Sequence, residues 1–257
     1  MLNRNKLKHI LSLQKKKVRE EEGLFVVEGD KIVREFLSSG MKVISLIAKP
    51  EFISGLPEDI AAVPGEIIPV SYEELKRASS LKTPHNAMAI VKMKEQAPEI
   101  KADHSSLTVV LDFIQDPGNL GTIIRAAAWF GLNRIVCSDT CVDVYNSKVI
   151  QATMGAILNV SVEYTSLESF LKNAREQDIN VYGTVLDGNP VYEAETGRTG
   201  IILIGNESKG ISESLFPFIT HKITIPKFST SDRGIESLNA GMAASVVFSE
   251  FRRRYPV

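Results

Sequence analysis

The sequence predicts an α/β protein built as two units, and three observations carry that reading. Strand-like and helix-like stretches alternate along the 257 residues. A charged segment interrupted by Pro98, 96–106, reads as a linker between an amino-terminal unit, 1–95, and a larger unit, 107–257. In the larger unit two apolar runs, 108–114 and 201–204, each stop at a turn rich in Gly and Asn. In an open α/β sheet such strand ends form the crevice where ligands bind.

The first unit opens with a basic stretch, in which Arg4, Lys6, Lys8, Lys15, Lys16, Lys17 and Arg19 precede the first acid, Glu20. Such a cluster can neutralise phosphates. Leu7, Ile10, Leu11 and Val18 recur at roughly helical spacing, so the same charges also suit the wet face of a helix. A strand at 24–27 follows, then Glu28-Gly29-Asp30 and an amphipathic helix whose stripe is Ile32, Val33, Phe36 and Leu37, closed by Gly40. Strands at 43–48, 67–70 and 87–92, with a short helix at 72–79, complete an α/β unit of its own.

The second unit begins with the 108–114 strand and runs into Gln115-Asp116-Pro117-Gly118-Asn119-Leu120-Gly121. The spacing predicts a sharp turn here and a helix over 122–130, ended by Gly131. Arg125 sits on that otherwise apolar helix, Ile123-Ile124-Arg125-Ala126-Ala127-Ala128-Trp129, and needs a reason to be there. Strands are expected at 181–186, 201–204 and 222–226. The 201–204 strand stops at Gly205-Asn206-Glu207-Ser208-Lys209-Gly210, and a polar loop after the last strand ends at Glu236-Ser237-Leu238-Asn239, where a small-residue helix runs to Arg254. Glycine at such strand ends lets a flat ligand approach the backbone.

Composition narrows the class. A 44% hydrophobic fraction suits a globular core, and no run approaches the roughly 18 consecutive apolar residues of a membrane helix. The basic amino terminus has no apolar signal region, so the expectation is a cytoplasmic protein. Cys137 and Cys141 have no second cysteine pair or nearby His to make a four-ligand metal site and read as free thiols. Net charge is −1, and residues 1–100 hold 16 Lys+Arg against 14 Asp+Glu, so overall charge does not announce a nucleic-acid binder. The four His residues show no metal spacing, and neither a nucleophile elbow nor a dinucleotide or phosphate-loop motif is present.

Three segments, Asp116-Pro-Gly-Asn-Leu-Gly-Thr-Ile-Ile-Arg125, Ile204-Gly-Asn-Glu-Ser-Lys-Gly210 and Glu236-Ser-Leu-Asn239, resemble in order and separation the three motifs of the SpoU (TrmH) family of RNA ribose 2′-O-methyltransferases, in the SPOUT superfamily. The match runs from about Leu107 to Tyr255. More loosely, Phe25-Val-Val-Glu28-Gly29 and Leu81-Lys82-Thr83-Pro84 resemble the small ribosomal-protein-like substrate-binding domain that many members carry.

The resemblance implies an α/β-knot domain with a carboxyl-terminal trefoil knot, although periodicity shows none, and a homodimer that completes each site. It implies S-adenosylmethionine as cofactor, held by Gly205, Ile225 and Leu238 with Thr184 joining them. It places Asn119 and Arg125 on the target ribose, has Glu207 organise the cleft, and has Ser237 and Asn239 fix the last loop. No metal or membrane belongs to this scheme. The implied activity is S-adenosylmethionine-dependent 2′-O-methylation of structured RNA, ribosomal RNA of the 23S type before transfer RNA. A non-catalytic RNA-binding factor with the same fold is the alternative from another class. So is a small-molecule nucleotide enzyme, which would leave the first unit without a task.

The loop from Lys227 to Glu236 is longer than the family's usual short turn, and Lys227 and Arg233 in it are candidate RNA contacts. Arg125 is a poor base, because a guanidinium keeps its proton at neutral pH. Its expected task is to orient a phosphate or stabilise negative charge; a structural ion pair with Asp112 or Glu207 is the competing expectation. Phe228, Tyr145 and Trp129 are candidates for stacking a splayed base. Trp129 and most Phe also read as core.

Overall fold

Six parallel strands make the larger of two sheets, and four mixed strands make the other, in a computed structural model that describes residues 2–95, 99–229 and 237–255. The chain divides into two compact units, Met1–Glu95 with Asp143–Leu158, and Gln96–Val142 with Asn159–Val257. The stretch 143–158 therefore belongs with the amino-terminal unit although its sequence neighbours lie in the other.

In the first unit, α1 (Arg4–Ser12) starts at Asn3, whose side chain accepts from Lys6 N at 2.8 Å. Then come α2 (Lys16–Glu22), β1 (Leu24–Glu28), α3 (Asp30–Ser38), β2 (Val43–Ala48), α4 (Pro50–Ser54) and α5 (Glu58–Ala61). The unit's remaining strands and helix are β3 (Ile67–Pro69), α6 (Tyr72–Ala78) and β4 (Ala87–Lys92). The strand order is β1-β4-β2-β3, with β4 antiparallel to both neighbours and β2 parallel to β3. Alternation splits the strands between two faces. Val26, Ile47, Met88 and Ile90 pack with Ile10, Leu13 and Leu75 on one. Phe25 meets Phe36 at 5.8 Å and Tyr145 at 4.6 Å between ring centroids.

Part of the basic amino terminus is structural. Lys6 Nζ donates to Ser45 Oγ at 2.8 Å and Glu66 at 2.6 Å. Arg19 is buried, donating to the carbonyls of Leu13 and Gln14 and pairing with Asp143. Tyr145, half-buried, packs one face of its ring against Phe25 inside this unit and accepts from Lys94 N.

The second unit contains β5 (Leu107–Leu111), α7 (Pro117–Trp129) and β6 (Arg134–Cys137). Helix α8 (Ser147–Thr153) lies in the 143–158 stretch, and β7 (Ser161–Tyr164), α9 (Leu167–Glu176), β8 (Val181–Pro190), β9 (Gly200–Ile204), β10 (His221–Thr224) and α10 (Ala240–Arg254) follow. The sheet order is β10-β8-β9-β5-β6-β7, every neighbouring pair parallel. Such strands are buried on both faces, which explains why Leu107–Leu111 and Gly200–Ile204 are buried throughout and apolar apart from Thr108.

Two local expectations shift. Helix α7 starts five residues before the expected 122, because Asp116 is its cap, accepting from Asn119 N at 2.8 Å, and Pro117 is its first residue. Trp129 is 85% exposed and not core: it lies on the same side of α7 as the exposed Arg125, four residues earlier. Phe25, Phe36, Phe52, Phe170, Phe248 and Phe251 are buried as expected, whereas Phe228 is 81% exposed. Cys137 and Cys141 are free, buried thiols.

Candidate active site

The strand order reverses between β5 and β9. From β5 the chain proceeds to β6 and β7 on one side, while β9 has β8 and then β10 on the other. A crevice opens at the carboxyl ends of the two strands flanking such a switch point. The loops that rise there are 112–116 and 205–211; the second is a Gly/Asn turn singled out in the sequence, whereas the Gly/Asn segment that follows the first is the opening of α7.

Backbone and side chains stitch these loops together. Asp112 N donates to the Ile204 carbonyl at 2.9 Å, and the buried Asp112 carboxylate accepts from Ser212 N at 2.7 Å. Asn206 Nδ2 donates to the Phe113 carbonyl at 3.0 Å, while Asn206 Oδ1 accepts from the N–H groups of Ser208 and Lys209. Phe113 has φ 58°, a left-handed conformation rare for a bulky residue, held by that contact and by Ser138 Oγ at 3.0 Å. At Gly205 a Cβ would lie 2.2 Å from the Gly210 carbonyl carbon, since Asn206 and Gly210 exchange both backbone hydrogen bonds and close the loop. Only glycine fits.

Glu207 projects from this closed loop and collects the other two motifs. Its Oε1 accepts from Asn119 Nδ2 and, at 3.3 Å each, from Asn239 Nδ2 and Ala240 N. Asn239 Nδ2 also donates to Asn119 Oδ1 at 2.7 Å, and Asn239 Oδ1 caps α10 by accepting from Gly241 N and Met242 N. Ser237 Oγ donates to the Glu207 backbone carbonyl at 3.3 Å. The carboxylate thus faces the amino-terminal turns of α7 and α10, whose partial positive charge favours it. Gly241 lets α10 come this close, because a Cβ there would be 2.8 Å from Thr122 Cγ2.

Of the sequence-derived catalytic candidates, Asn119, Glu207, Ser237 and Asn239 therefore form one hydrogen-bonded cluster. Arg125 stands apart from it, exposed, with no ion pair among the described residues; neither Asp112 nor Glu207 is its partner. Thr184 within β8, Gly205 just after β9 and Ile225 just after β10 lie on three adjacent strands at one level, since Gly183 is level with both Leu203 and Lys222. Thr184 Oγ1 donates to the Leu203 carbonyl at 3.1 Å, Ile225 is half-buried, and Leu238 is 43% exposed just before α10. Backbone polar groups with an accessible apolar side chain suit a purine ring, which needs both. Among the described residues no group of three or more His, Cys, Asp or Glu could hold a metal ion. Glu236 and Arg233 lie outside the described residues.

Asp112, Asp116 and Asn206 were given no part in building the site from the sequence, although Asp112 was weighed as a partner of Arg125 and the other two lie within the quoted motifs. Asp116 had a signal, an Asx cap three residues before Asn119. Asp112 and Asn206 had none, because their partners are 100 and 93 residues away.

Residues 106–249 match the model of the SpoU rRNA Methylase family, and residues 4–89 match the MRM3-like substrate binding domain. The chain is 28% identical over 248 residues to the Bacillus subtilis 23S rRNA (guanosine(2553)-2′-O)-methyltransferase RlmP, covering 96% of each. It is 27% identical to the mouse mitochondrial rRNA methyltransferase 3, covering 92% of this chain and 69% of that one. Among solved structures it resembles a TrmH-family protein from Porphyromonas gingivalis (TM-score 0.85, 35% identity, 99% of both chains). It also resembles an AdoMet-bound rRNA methyltransferase from Sinorhizobium meliloti (TM-score 0.87, 26% identity, 100% and 97%).

Proposed function

The chain belongs to the SpoU rRNA Methylase family, and from that membership we infer that it methylates a ribose 2′-hydroxyl of ribosomal RNA with S-adenosylmethionine as donor. The observation that carries this reading is the cluster of Asn119, Glu207, Asn239 and Ala240, which joins three sequence motifs at the switch point of the sheet.

Gly205, Ile225, Leu238 and Thr184 would hold the cofactor, through backbone groups and apolar contact. When bound, it supplies an electrophilic methyl group on a sulfonium. The chain's own task is to bring the ribose oxygen into line and ease loss of its proton, and alignment alone is worth roughly 7–11 kcal/mol in well-oriented systems. Asn119 is 8% exposed and spends one amide hydrogen on Glu207, which leaves the second for a ribose oxygen. Arg125, unpaired among the described residues, is free to grip a phosphate and stabilise negative charge on the reacting oxygen. It does not remove the proton, because it holds its own.

The working unit in this reading is a homodimer. Trp129 and Met242, 85% and 62% exposed on the packed helices α7 and α10, support it, and burying them against a second copy would bring Arg125 to a shared site. A monomer in sedimentation velocity at working concentration would refute it. The trefoil knot belongs to the reading as well: from β10 at the sheet edge the chain returns as α10 to pack on α7. An experimental chain trace that unties when its ends are pulled would count against it. No helix among the described residues is long and apolar enough to cross a membrane, and likeness to a bacterial rRNA methyltransferase supports the cytoplasm as its compartment in this reading.

The test is transfer of labelled methyl from S-adenosylmethionine to total ribosomal RNA and, separately, transfer RNA, both from cells lacking the protein. Alkali-resistant label at one position of ribosomal RNA is expected. Label only in transfer RNA would move the substrate class; no label and no cofactor binding by calorimetry would sink the enzyme reading. An Arg125→Lys enzyme with near-normal turnover would exclude the forked phosphate grip.

A further inference from the structure

The first unit carries a groove that none of this chemistry uses. It has a volume of about 330 Å³ and is lined by Asp30, Arg34, Lys49, Glu51, Phe52 and Asn86. Its walls come from the start of α3, the end of β2 with the first turn of α4, and the segment entering β4. We propose that this groove receives one unstacked base of the RNA substrate, guanine in particular, and so selects the RNA that the second unit methylates. The proposal rests on the methyltransferase reading and deepens it.

Three features point to a base. The Arg34 guanidinium lies over the buried Phe52 ring, 4.5 Å from its centroid, and donates to the Gly55 carbonyl at 3.1 Å. The guanidinium is thus held at the groove wall by a ring and a carbonyl, and it supplies the groove with a planar group ordered in advance. Arginine planes stack splayed RNA bases, and a platform ordered in advance loses little freedom on binding. The groove also holds two carboxylates. Asp30 is fixed by Asn86, which donates to it from N at 2.9 Å and from Nδ2 at 2.6 Å, whereas the exposed Glu51 side chain has no partner among the described residues. Two acceptor groups suit a base edge with adjacent N–H donors. Guanine has these at N1 and N2, while adenine presents only its N6 amine beside an acceptor. Finally, Lys49 lines the same groove, 5.2 Å from the Tyr72 ring, and supplies the positive charge that the nucleotide's phosphate needs.

The segment forming one wall is anchored at both ends. Buried Glu28 accepts from Ser79 Oγ and from Ser80 N and Oγ, and Asp30 holds Asn86. Residues 81–85, with Lys82 and His85 exposed, are therefore presented on a fixed frame.

The test uses the full-length protein and labelled uridine oligonucleotides carrying a single guanosine, inosine or adenosine, read by fluorescence anisotropy. Guanosine is expected to bind about tenfold more tightly than adenosine, with inosine, which lacks the N2 amine, between them. Glu51→Ala, which removes the acceptor altogether at an exposed side chain whose loss threatens no packing, is expected to erase that preference. It should also raise KM for RNA several-fold with kcat and cofactor affinity unchanged. Arg34→Ala is expected to weaken binding to all three. The inference is overturned if an enzyme that methylates ribosomal RNA binds the three oligonucleotides alike or not at all, or if Glu51→Ala keeps both the preference and the wild-type KM. Those outcomes leave the activity standing; absence of methyl transfer by the wild-type protein falls on the methyltransferase reading instead.

Discussion

Replacing Glu207 by Ala removes a carboxylate that ties the starts of α7 and α10 to the loop after β9. The carboxylate accepts from Asn119, Asn239 and Ala240, the latter two at 3.3 Å and so weaker. Asn119 is 8% exposed, so its orphaned amide hydrogen cannot readily find water. An unsatisfied buried donor costs about 1–3 kcal/mol, and each hydrogen bond to a charged group contributes about 1.5–3 kcal/mol before solvent exposure reduces it. A loss of about 3 kcal/mol in alignment follows, on the order of a hundredfold in rate. Glu207→Gln keeps an acceptor oxygen at the same place and loses only the charge, about 1 kcal/mol or roughly fivefold. Single-turnover methyl transfer at saturating cofactor separates the two, with calorimetry checking that cofactor still binds. If Ala stays within a fewfold of wild type, Glu207 organises nothing that matters. If Gln is as impaired as Ala, the carboxylate acts on the proton itself and the organising role is wrong.

Gly205→Ala places a methyl group 2.2 Å from the Gly210 carbonyl carbon, forcing the 205–210 loop open; cofactor affinity should fall more than about tenfold, and unchanged affinity would refute the closed-loop geometry. Arg19→Met strands the Asp143 carboxylate in the first unit, and urea unfolding should show a loss of about 3–5 kcal/mol, with under 1 kcal/mol contradicting it. Glu250 is held at about 2 instead of 4.5 by the hydrogen bond from Arg253 and then that from Arg254, against opposing burial. A depressed carboxylate stabilises above its unfolded value and loses that contribution as pH falls through its folded value. About 1–3 kcal/mol should therefore disappear between about pH 5 and 2, and Glu250→Gln should flatten that limb; an unaltered acid profile would discount the pair.

Much of the site was legible because its signals are local. The Gly-Asn turn at 205–210 and the Asn239 cap are written in consecutive residues, where backbone freedom and side-chain length suffice to place a turn or a helix start. The first unit's two sequence marks, around Glu28 and around Leu81, turn out to flank one interaction, with Ser79 and Ser80 clamped on the Glu28 carboxylate. Asp116 misled in the other direction: Asp-Pro reads as a turn, and here it caps and starts α7.

The sequence by itself determined most of the strands, the 205–210 turn, the order of the motifs and the family, because periodicity and turn chemistry act over a few residues, whereas β7, α8 and α9 were not read from it. Tertiary structure alone decided that Arg19 is a buried strut and that 143–158 folds with the first unit. It also decided that Trp129 lies bare beside Arg125, and that Glu207 gathers residues 88 and 32 positions away. Those outcomes depend on which faces meet once the sheet order is set. An exposed tryptophan and a buried arginine have the same letters as their opposites, and only the packed neighbours tell them apart.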